Sequence, residues 1–375
     1  MIKKSFSFLL LLLFVFSLSA QSGGDRKTIL FLIPFYTDDY NAATATNVRN
    51  SQDISKINSF LIMGFWAGAQ IALQEYEEQN APLNIVVRDV TENEASLRKI
   101  MEDETLMREV DMIIGPFFNK SFTIAATYAK KYGIPIVNPF TKRTDILSGN
   151  KYVYKVSPSV ETKPAMLSYL SETFPKSNII IYQDSSGRNE EQIAYKQYFV
   201  DHKIPFKEVN SQKSLLGEIK EGIKNIVVVF NHNEAKMLMI SRDMLYSVNP
   251  EDVMLVVPEK WLQSTTYDVD YYSKLNLHFF SPYYVDENDQ QTQVFEQVYK
   301  ERFHTIPTLE NFAFQGYDIT RFFVELALHN GDLDRVKTVP LACPMSFEKT
   351  KGGGYENINI HFLEIKEDEI VPVTF

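Results

Sequence analysis

The chain has 375 residues, of which 45% are hydrophobic and 23% charged. That composition excludes a disordered or fibrous chain and leaves room for two domains. A formal net charge of −10 excludes the broad basic surface that nucleic acid demands. Cys343 is the only cysteine, which excludes an intramolecular disulfide framework; the fold must rest on its core, and Cys343 reads as a small buried hydrophobe.

The N-terminus has the form of a secretory leader. Lys3 and Lys4 precede an apolar run, "FSFLLLLLFVF", at 6–16, and "SLSA" at 17–20 supplies small residues for cleavage. Cleavage is expected after Ala20, making 1–20 the signal peptide, with Ser19 as the alternative because Leu18 fits the −3 position poorly. The apolar run is shorter than the ~20 residues that span a bilayer. With no cysteine beside the cleavage site, a lipid anchor is not expected. Loss of the two lysines would move the formal charge from −10 to −12. No later stretch reaches spanning length, so a periplasmic protein, not membrane-embedded after cleavage, is expected.

Past the leader, "TILFLIPF" (28–35) is an apolar run suited to a strand buried on both faces. A polar loop is expected from Tyr36 to Lys56. "SFLIMGFWAGAQIALQEYEEQ" (59–79) reads as a buried helix and "LNIVVRDV" (83–90) as a strand. A helix over 94–107, a strand over 110–116, a helix over 121–133 stopped by Gly133, and a strand over 134–139 follow. This β-α alternation predicts a doubly wound parallel sheet. The pattern then repeats, with strands at 152–158, 178–184, 205–210, 225–231 and 253–259 and helices at 161–174 and 189–202. Helical patterns at 288–303 and 311–330 precede a run of strands, "CPMSFEK", "NINIHFLEI" and "EIVPVTF", with "KGGGYE" (351–356) as a hairpin turn. Two αβ lobes are expected, the first boundary falling near 148–151.

Open αβ sheets bind ligands beyond the carboxyl ends of their strands. Two such ends stand out, Gly115–Ser121 and Asn138–Lys142. A helix starting near Ser121 would aim backbone N–H groups at the same region, which suits a carboxylate or other anion.

Three segments carry a family resemblance: "GFWAGAQIALQEYEEQN" (64–80), "MIIGPFFNKSFTIAATYAKKYGIPIVNPFT" (112–141) and "FEQVYKERFHTIPTLENFAFQGYDITRFFVELALHNG" (295–331). In order and spacing the chain resembles the type I periplasmic binding proteins, the leucine/isoleucine/valine-binding branch above all. The resemblance spans nearly the whole mature chain. It implies two doubly wound lobes joined by three crossings, a first lobe of 26–148 plus 284–334, and a second of 151–280 plus 338–375. It also implies hinge closure about a small-molecule ligand and an ABC permease as partner. Carried over by position, the ligand carboxylate would meet Asn119, Lys120 and Ser121 in "GPFFNKS", with Thr141 and Lys142 after the next strand. Phe140 stands where small residues are usual. Glu259 in "VPEKW" matches the acid that binds a ligand amine. Asn231 and His232 follow the preceding strand, and the rings of Tyr36 and Trp261 are further candidates. The bulk of Phe118 and Phe140 keeps a second expectation open, an envelope regulator or scaffold of the same fold that contacts cell-wall machinery or another protein.

Catalysis and metal binding find no pattern. "DSSGRN" lacks the leading glycine of a nucleophile elbow. No phosphate-binding glycine loop is present, and the six histidines show no metal-ligand spacing. An enzyme, a metal site and a cofactor are therefore not expected.

Overall fold

The computed structural model describes residues 26–37, 59–173, 176–183, 189–231, 233–263, 269–367 and 369–373. The expected leader, most of the loop after the first strand and His232 lie outside the described residues.

The apolar runs form strands of two seven-stranded sheets. The first contains β1 (Lys27–Ile33), β2 (Leu83–Asp89), β3 (Val110–Ile114), β4 (Ile136–Asn138), β5 (Val153–Lys155), β11 (Phe347–Lys349) and β12 (Tyr355–Asn357), in the order β11-β12-β5-β4-β3-β1-β2. The second contains β6 (Asn178–Tyr182), β7 (Lys207–Val209), β8 (Asn225–Val229), β9 (Val253–Val256), β10 (Leu277–Ser281), β13 (His361–Lys366) and β14 (Glu369–Pro372), in the order β14-β13-β10-β9-β8-β6-β7. The helices between them are α1 (Ser59–Glu78), α2 (Glu94–Met101), α3 (Glu104–Glu109), α4 (Asn119–Tyr132), α5 (Thr162–Thr173), α6 (Glu190–Asp201), α7 (Gln212–Glu218), α8 (Glu234–Ser247), α9 (Val269–Lys274), α10 (Gln290–Phe303) and α11 (Ala313–Leu328).

Strand β1 shows why the first sheet is covered on both faces. Ile29, Phe31 and Ile33 face a core built with α1 and α11, while Leu30 and Leu32 face another built with α2 and α4. Side chains alternate across a strand, so an unbroken apolar run needs apolar partners on each side. The second sheet is built alike, with Ile180 and Val227 on one face and Ile179 and Ile226 on the other.

Several expectations change. The single helix expected over 94–107 is two, because Asp103 accepts the N–H of Leu106 and caps a new helix. The run "NINIHFLEI" is not one strand: β12 ends at Asn357 and β13 begins at His361. Strand β10 was not foreseen. Strand affiliation also departs from the expected lobes. Residues 151–280 and 338–375 were assigned to the second lobe, yet β5 pairs with β4 and with β12 in the first sheet, and β11 pairs with β12. Only β13 and β14 of the final strands join the second sheet. Hydrophobic pattern announces a strand but not its neighbours, and the pairing of β5 with β12 joins segments some 200 residues apart.

Helices α1 and α11 hold the two ends of the first lobe together. A methyl group on Gly64, Gly68 or Gly316 would collide with the backbone carbonyl of Asn311, Ala313 or Phe65. The two backbones therefore approach more closely than any side chain would allow. Around the contact, Tyr317 donates to Glu75 at 2.6 Å and Tyr76 to the Arg321 carbonyl at 3.1 Å.

Gly68→Ala should force the helices apart and cost about 1–3 kcal/mol, read as a lower urea midpoint with an unchanged slope. In the second sheet, burial pushes His278 down to about 4, although its Nδ1 bonds the Asn276 carbonyl. Its folded value lies below the unfolded one, so the stability it permits is complete above pH 6.5 and is lost as pH falls toward 4. The acid loss of thermal stability across that window should be visibly shallower in His278→Phe.

Candidate functional site

The three crossings between the lobes fix which ends of the sheets meet. They run from β5 to α5, from β10 to α10, and from β12 to β13. Two leave the first sheet at the carboxyl ends of parallel strands, and the other leaves the second sheet at the carboxyl end of β10. The carboxyl ends of both sheets therefore border one cleft.

Asn357 ties the crossings together. Buried at the end of β12, it donates to the carbonyls of Val156 (3.0 Å) and Pro344 (2.9 Å). Its Oδ1 accepts from the N–H groups of Ser346 (2.9 Å) and Asn359 (3.1 Å). Beside it, fully buried Lys155 pairs with Glu356 at 2.7 Å and also donates to the Ser157 carbonyl. Asp318 of α11 accepts N–H groups from Leu341, Ala342 and Cys343, each at 2.8 Å. Burial raises Asp318 to about 6, against the downward pull of those three N–H donors. The Ala342 carbonyl in turn accepts from the Tyr284 N–H at 3.1 Å and lies 3.2 Å from His361 Nε2.

The first wall of the cleft lies past β1, β3 and β4. The loops after β3 and β4 meet through Asn138. Its Nδ2 donates to the carbonyls of Pro116 (3.3 Å) and Phe117 (3.4 Å), and its Oδ1 accepts from the N–H groups of Phe140 (3.0 Å) and Thr141 (2.8 Å). Gly115 sits at φ 92, with the Leu32 carbonyl where a side chain would be. Asp89 at the end of β2 likewise holds the loop after β1, accepting from Phe35 N–H (2.9 Å) and from Thr37. The surface so organised is aromatic. Phe140 packs edge-on to Phe117 and Phe65 and, with centroids 4.6 Å apart, against Phe312. Tyr36 meets Phe118 edge-on at 6.3 Å.

The expected site residues on this wall divide. Asn119 opens α4 and accepts the Thr141 hydroxyl at 2.6 Å, so the two hold each other. Lys120 is exposed and paired with Glu94. Asn119, Lys120 and Glu94, with Thr123, Ile124 and Arg143, outline an open surface depression of about 380 Å³. Ser121 is buried and directed at the Thr91 carbonyl, 3.4 Å away. It is thus neither a cap of α4 nor open to the cleft. Tyr36, Phe140 and Phe118 remain half-buried, and Lys142 is exposed.

The second wall lies past β8 and β9. Glu259 is exposed there and accepts the Ser281 hydroxyl at 3.0 Å. Trp261, expected as a stacking ring, is 1% exposed. Its indole N–H donates to the Asn231 carbonyl at 2.7 Å and its own carbonyl accepts from Tyr272. It is a core residue of the second lobe, because a buried indole must find an acceptor and the loop after β8 supplies one. Asn231 is buried with it, its Oδ1 accepting from Asn233. A crevice of about 20 Å³ lies beside Glu259, lined also by Lys163, Glu191, Tyr195, Phe230 and Pro258. Lys163 and Glu191 bond at 2.6 Å. No sequence signal marked them, since each is one charge on a helix. Asn138 did have a signal, an Asn-Pro turn after a strand. At the cleft floor, burial holds the Tyr283 hydroxyl well above the usual tyrosine range, in contact with Ser157.

Among the described residues no group of three or more His, Cys, Asp or Glu is placed to hold a metal. Nor is any described helix long and apolar enough to cross a membrane.

The Asn138 knot gives a stability prediction. Asn138→Ala would strand two buried carbonyls and free both loops, at a cost of about 2–4 kcal/mol, measured by chemical denaturation. A loss under ~0.5 kcal/mol would mean that the loops do not depend on it.

No protein-family model and no curated protein sequence matches the chain. Solved structures do. A protein of Rhodospirillum rubrum described as a branched-chain amino acid ABC transporter superposes with a TM-score of 0.60 at 12% identity, covering 93% of this chain and 100% of the other. An ABC transporter substrate-binding protein of Desulfitobacterium hafniense gives 0.54 at 16%, with the same coverage. LpoA of Haemophilus influenzae gives 0.57 at 13%, covering 95% of this chain and 59% of its own. With its two doubly wound lobes, three crossings and shared cleft, the chain has the fold of the type I periplasmic binding proteins.

Proposed function

We propose that this protein is an extracytoplasmic solute-binding protein, one that captures a small polar ligand between its lobes and presents it to an ABC permease. The observation that carries this reading is the cleft itself, which brings together the carboxyl ends of two parallel sheets, where αβ folds bind ligands. The likeness to ABC substrate-binding proteins supports it, as does the leader-like N-terminus. In this role the protein performs no chemistry. A ligand spanning both walls makes its full set of contacts only when the lobes close, so binding and closure are coupled. Glu259 from the second lobe and Tyr36, Phe118 and Phe140 from the first are the proposed contacts. Asn119 and Thr141 act from behind by holding the first wall in shape.

A second reading has its own support. The cluster of Phe65, Phe117, Phe140 and Phe312 fills space beyond the first sheet, and LpoA shares the fold. A non-transporting envelope regulator would use the lobes as a scaffold and leave the cleft unused.

A thermal-shift screen of the mature protein against amino acids, amines, peptides, sugars and nucleosides separates the two. A ligand at ~100 times its Kd should stabilise the protein by about 2.7 kcal/mol, and Glu259→Ala should weaken an amine-bearing hit at least tenfold without lowering the ligand-free melting point. A folded protein that responds to none of these compounds would favour the scaffold.

A further inference from the structure

We propose that His361 and the Ala342 carbonyl form a latch between the lobes, and that acid releases it. Such a latch is independent of what the cleft holds, so it goes beyond the solute-binding reading and serves a transporter or a scaffold alike.

Two anchors make this contact a link between lobes. Ala342 belongs to the stretch between α11 and β11, in the first lobe. Its N–H and those of Leu341 and Cys343 bond the buried Asp318 carboxylate of α11 at 2.8 Å each. Further along, Asn357 holds the Pro344 carbonyl and the Ser346 N–H, and the Ser346 carbonyl accepts from Ile358 at 2.8 Å. The stretch is thus fixed to the first lobe at both ends. His361 opens β13, opposite Ser281 of β10 in the antiparallel ladder, so it travels with the second sheet. Only Ile358, Asn359 and Ile360 separate it from the end of β12 in the first sheet. The Ala342 carbonyl lies 3.2 Å from His361 Nε2 and also takes the Tyr284 N–H at 3.1 Å, from the crossing between β10 and α10. The Tyr284 ring meets the imidazole edge-on at 5.6 Å and packs on the core of the second lobe. One carbonyl of the first lobe therefore holds two of the three crossings. A rotation of the second sheet about so short a link changes the contact directly, because a hydrogen bond survives only a narrow range of distance and angle.

Charge decides whether the latch holds. To bond a carbonyl, Nε2 must carry a proton, which the neutral imidazole allows. A second proton, on Nδ1, puts a charge in a half-buried place. Burial pulls His361 below its ordinary 6.5, and the Ala342 bond opposes this more weakly. Once released, the ring meets water and returns toward 6.5. The latched form thus binds the second proton less well than the released form, so the latch is complete above pH 6.5 and weakens as pH falls below it. Other groups face the ring. Asp318, behind the Ala342 N–H, is pushed up to about 6 by burial; it grips Ala342 within the first lobe, so its protonation is common to both lobe positions. Asp286 and Glu287 on the crossing and Glu369 of β14 lie near Tyr284. Ser281 on β10 gives its hydroxyl to Glu259. Tyr283 and the Cys343 thiol are both pushed up by burial and stay neutral. The carboxylates favour an imidazolium and make the release shallower, but burial is the larger influence on His361 and sets its direction.

Double electron–electron resonance on the ligand-free protein tests this. Nitroxides go on Lys130→Cys of α4 and Lys213→Cys of α7, exposed positions on different lobes, while Cys343 is buried away from the label. Between pH 8 and about pH 5 the labelled parent should gain a second distance population at the expense of the first, reversibly and with far-UV circular dichroism unchanged. His361→Gln keeps an N–H donor but cannot titrate, and should hold the parent's neutral distribution across the whole range. His361→Leu has no donor and should show the second population already at neutral pH. A parent distribution that ignores pH would overturn the inference. So would a pH response retained in His361→Gln, or a His361→Leu protein that looks latched at neutral pH. Should His361→Leu fail to fold, the parent and His361→Gln decide between them.

Discussion

The close crossing of α1 and α11 is the contact on which the rest of the first lobe depends. The lobe is made of residues from both sides of an excursion that builds nearly all of the second lobe, so its late part must return and dock as a unit. Glycines at 64, 68 and 316 let the two backbones meet directly, each against a carbonyl of the other helix or its lead-in. Such packing gives many close van der Waals contacts and little freedom to slide. It also sets where α11 starts, and with it Phe312, whose ring closes the aromatic cluster beyond the sheet. The helix contact and the cleft wall are thus parts of one arrangement.

The shape of the cleft loops is governed by amides and carboxylates at the strand ends. Asn138, Asp89 and Asn357 each bind several backbone groups at a strand end, which makes an irregular loop almost as well bonded as the strand before it. Asp318 does the same for the stretch between α11 and β11, gripping three successive N–H groups. Truncating any of them leaves several orphaned backbone groups at once. Among the described residues, half-buried rings such as Phe140 and Tyr36 and the exposed carboxylate of Glu259 lie beyond the strand ends.

Residues at the crossings are buried and polar, which is costly unless each is paired. Lys155 at 0% exposure is the extreme case, with Glu356 and the Ser157 carbonyl as partners. An ion pair of this kind adds little net stability over an apolar pair, yet it permits only one register between β5 and β12. Two of the three crossings leave the first sheet from these adjacent strands, so a single permitted register fixes where both begin.

Composition, the apolar runs and the β-α alternation by themselves determined two doubly wound lobes. They also marked the loops after β3 and β4 as cleft edges. Those are local properties: a run buried on both faces, a glycine that ends a helix, an Asn-Pro turn. Only the tertiary structure decided that β5 stays with β4 in the first sheet and that β12, with β11 beside it, returns to pair with β5, since pairing across some 200 residues leaves no mark in periodicity. The same reason explains the site. Trp261 and Ser121 lie in the right segments but point into the fold, because their polar atoms have acceptors there. Lys163 and Glu191 come from separate helices and become neighbours only through the packing of α5 on α6. Sequence supplies the residue types and the faces of each element; which faces meet is settled by three-dimensional packing of the whole chain.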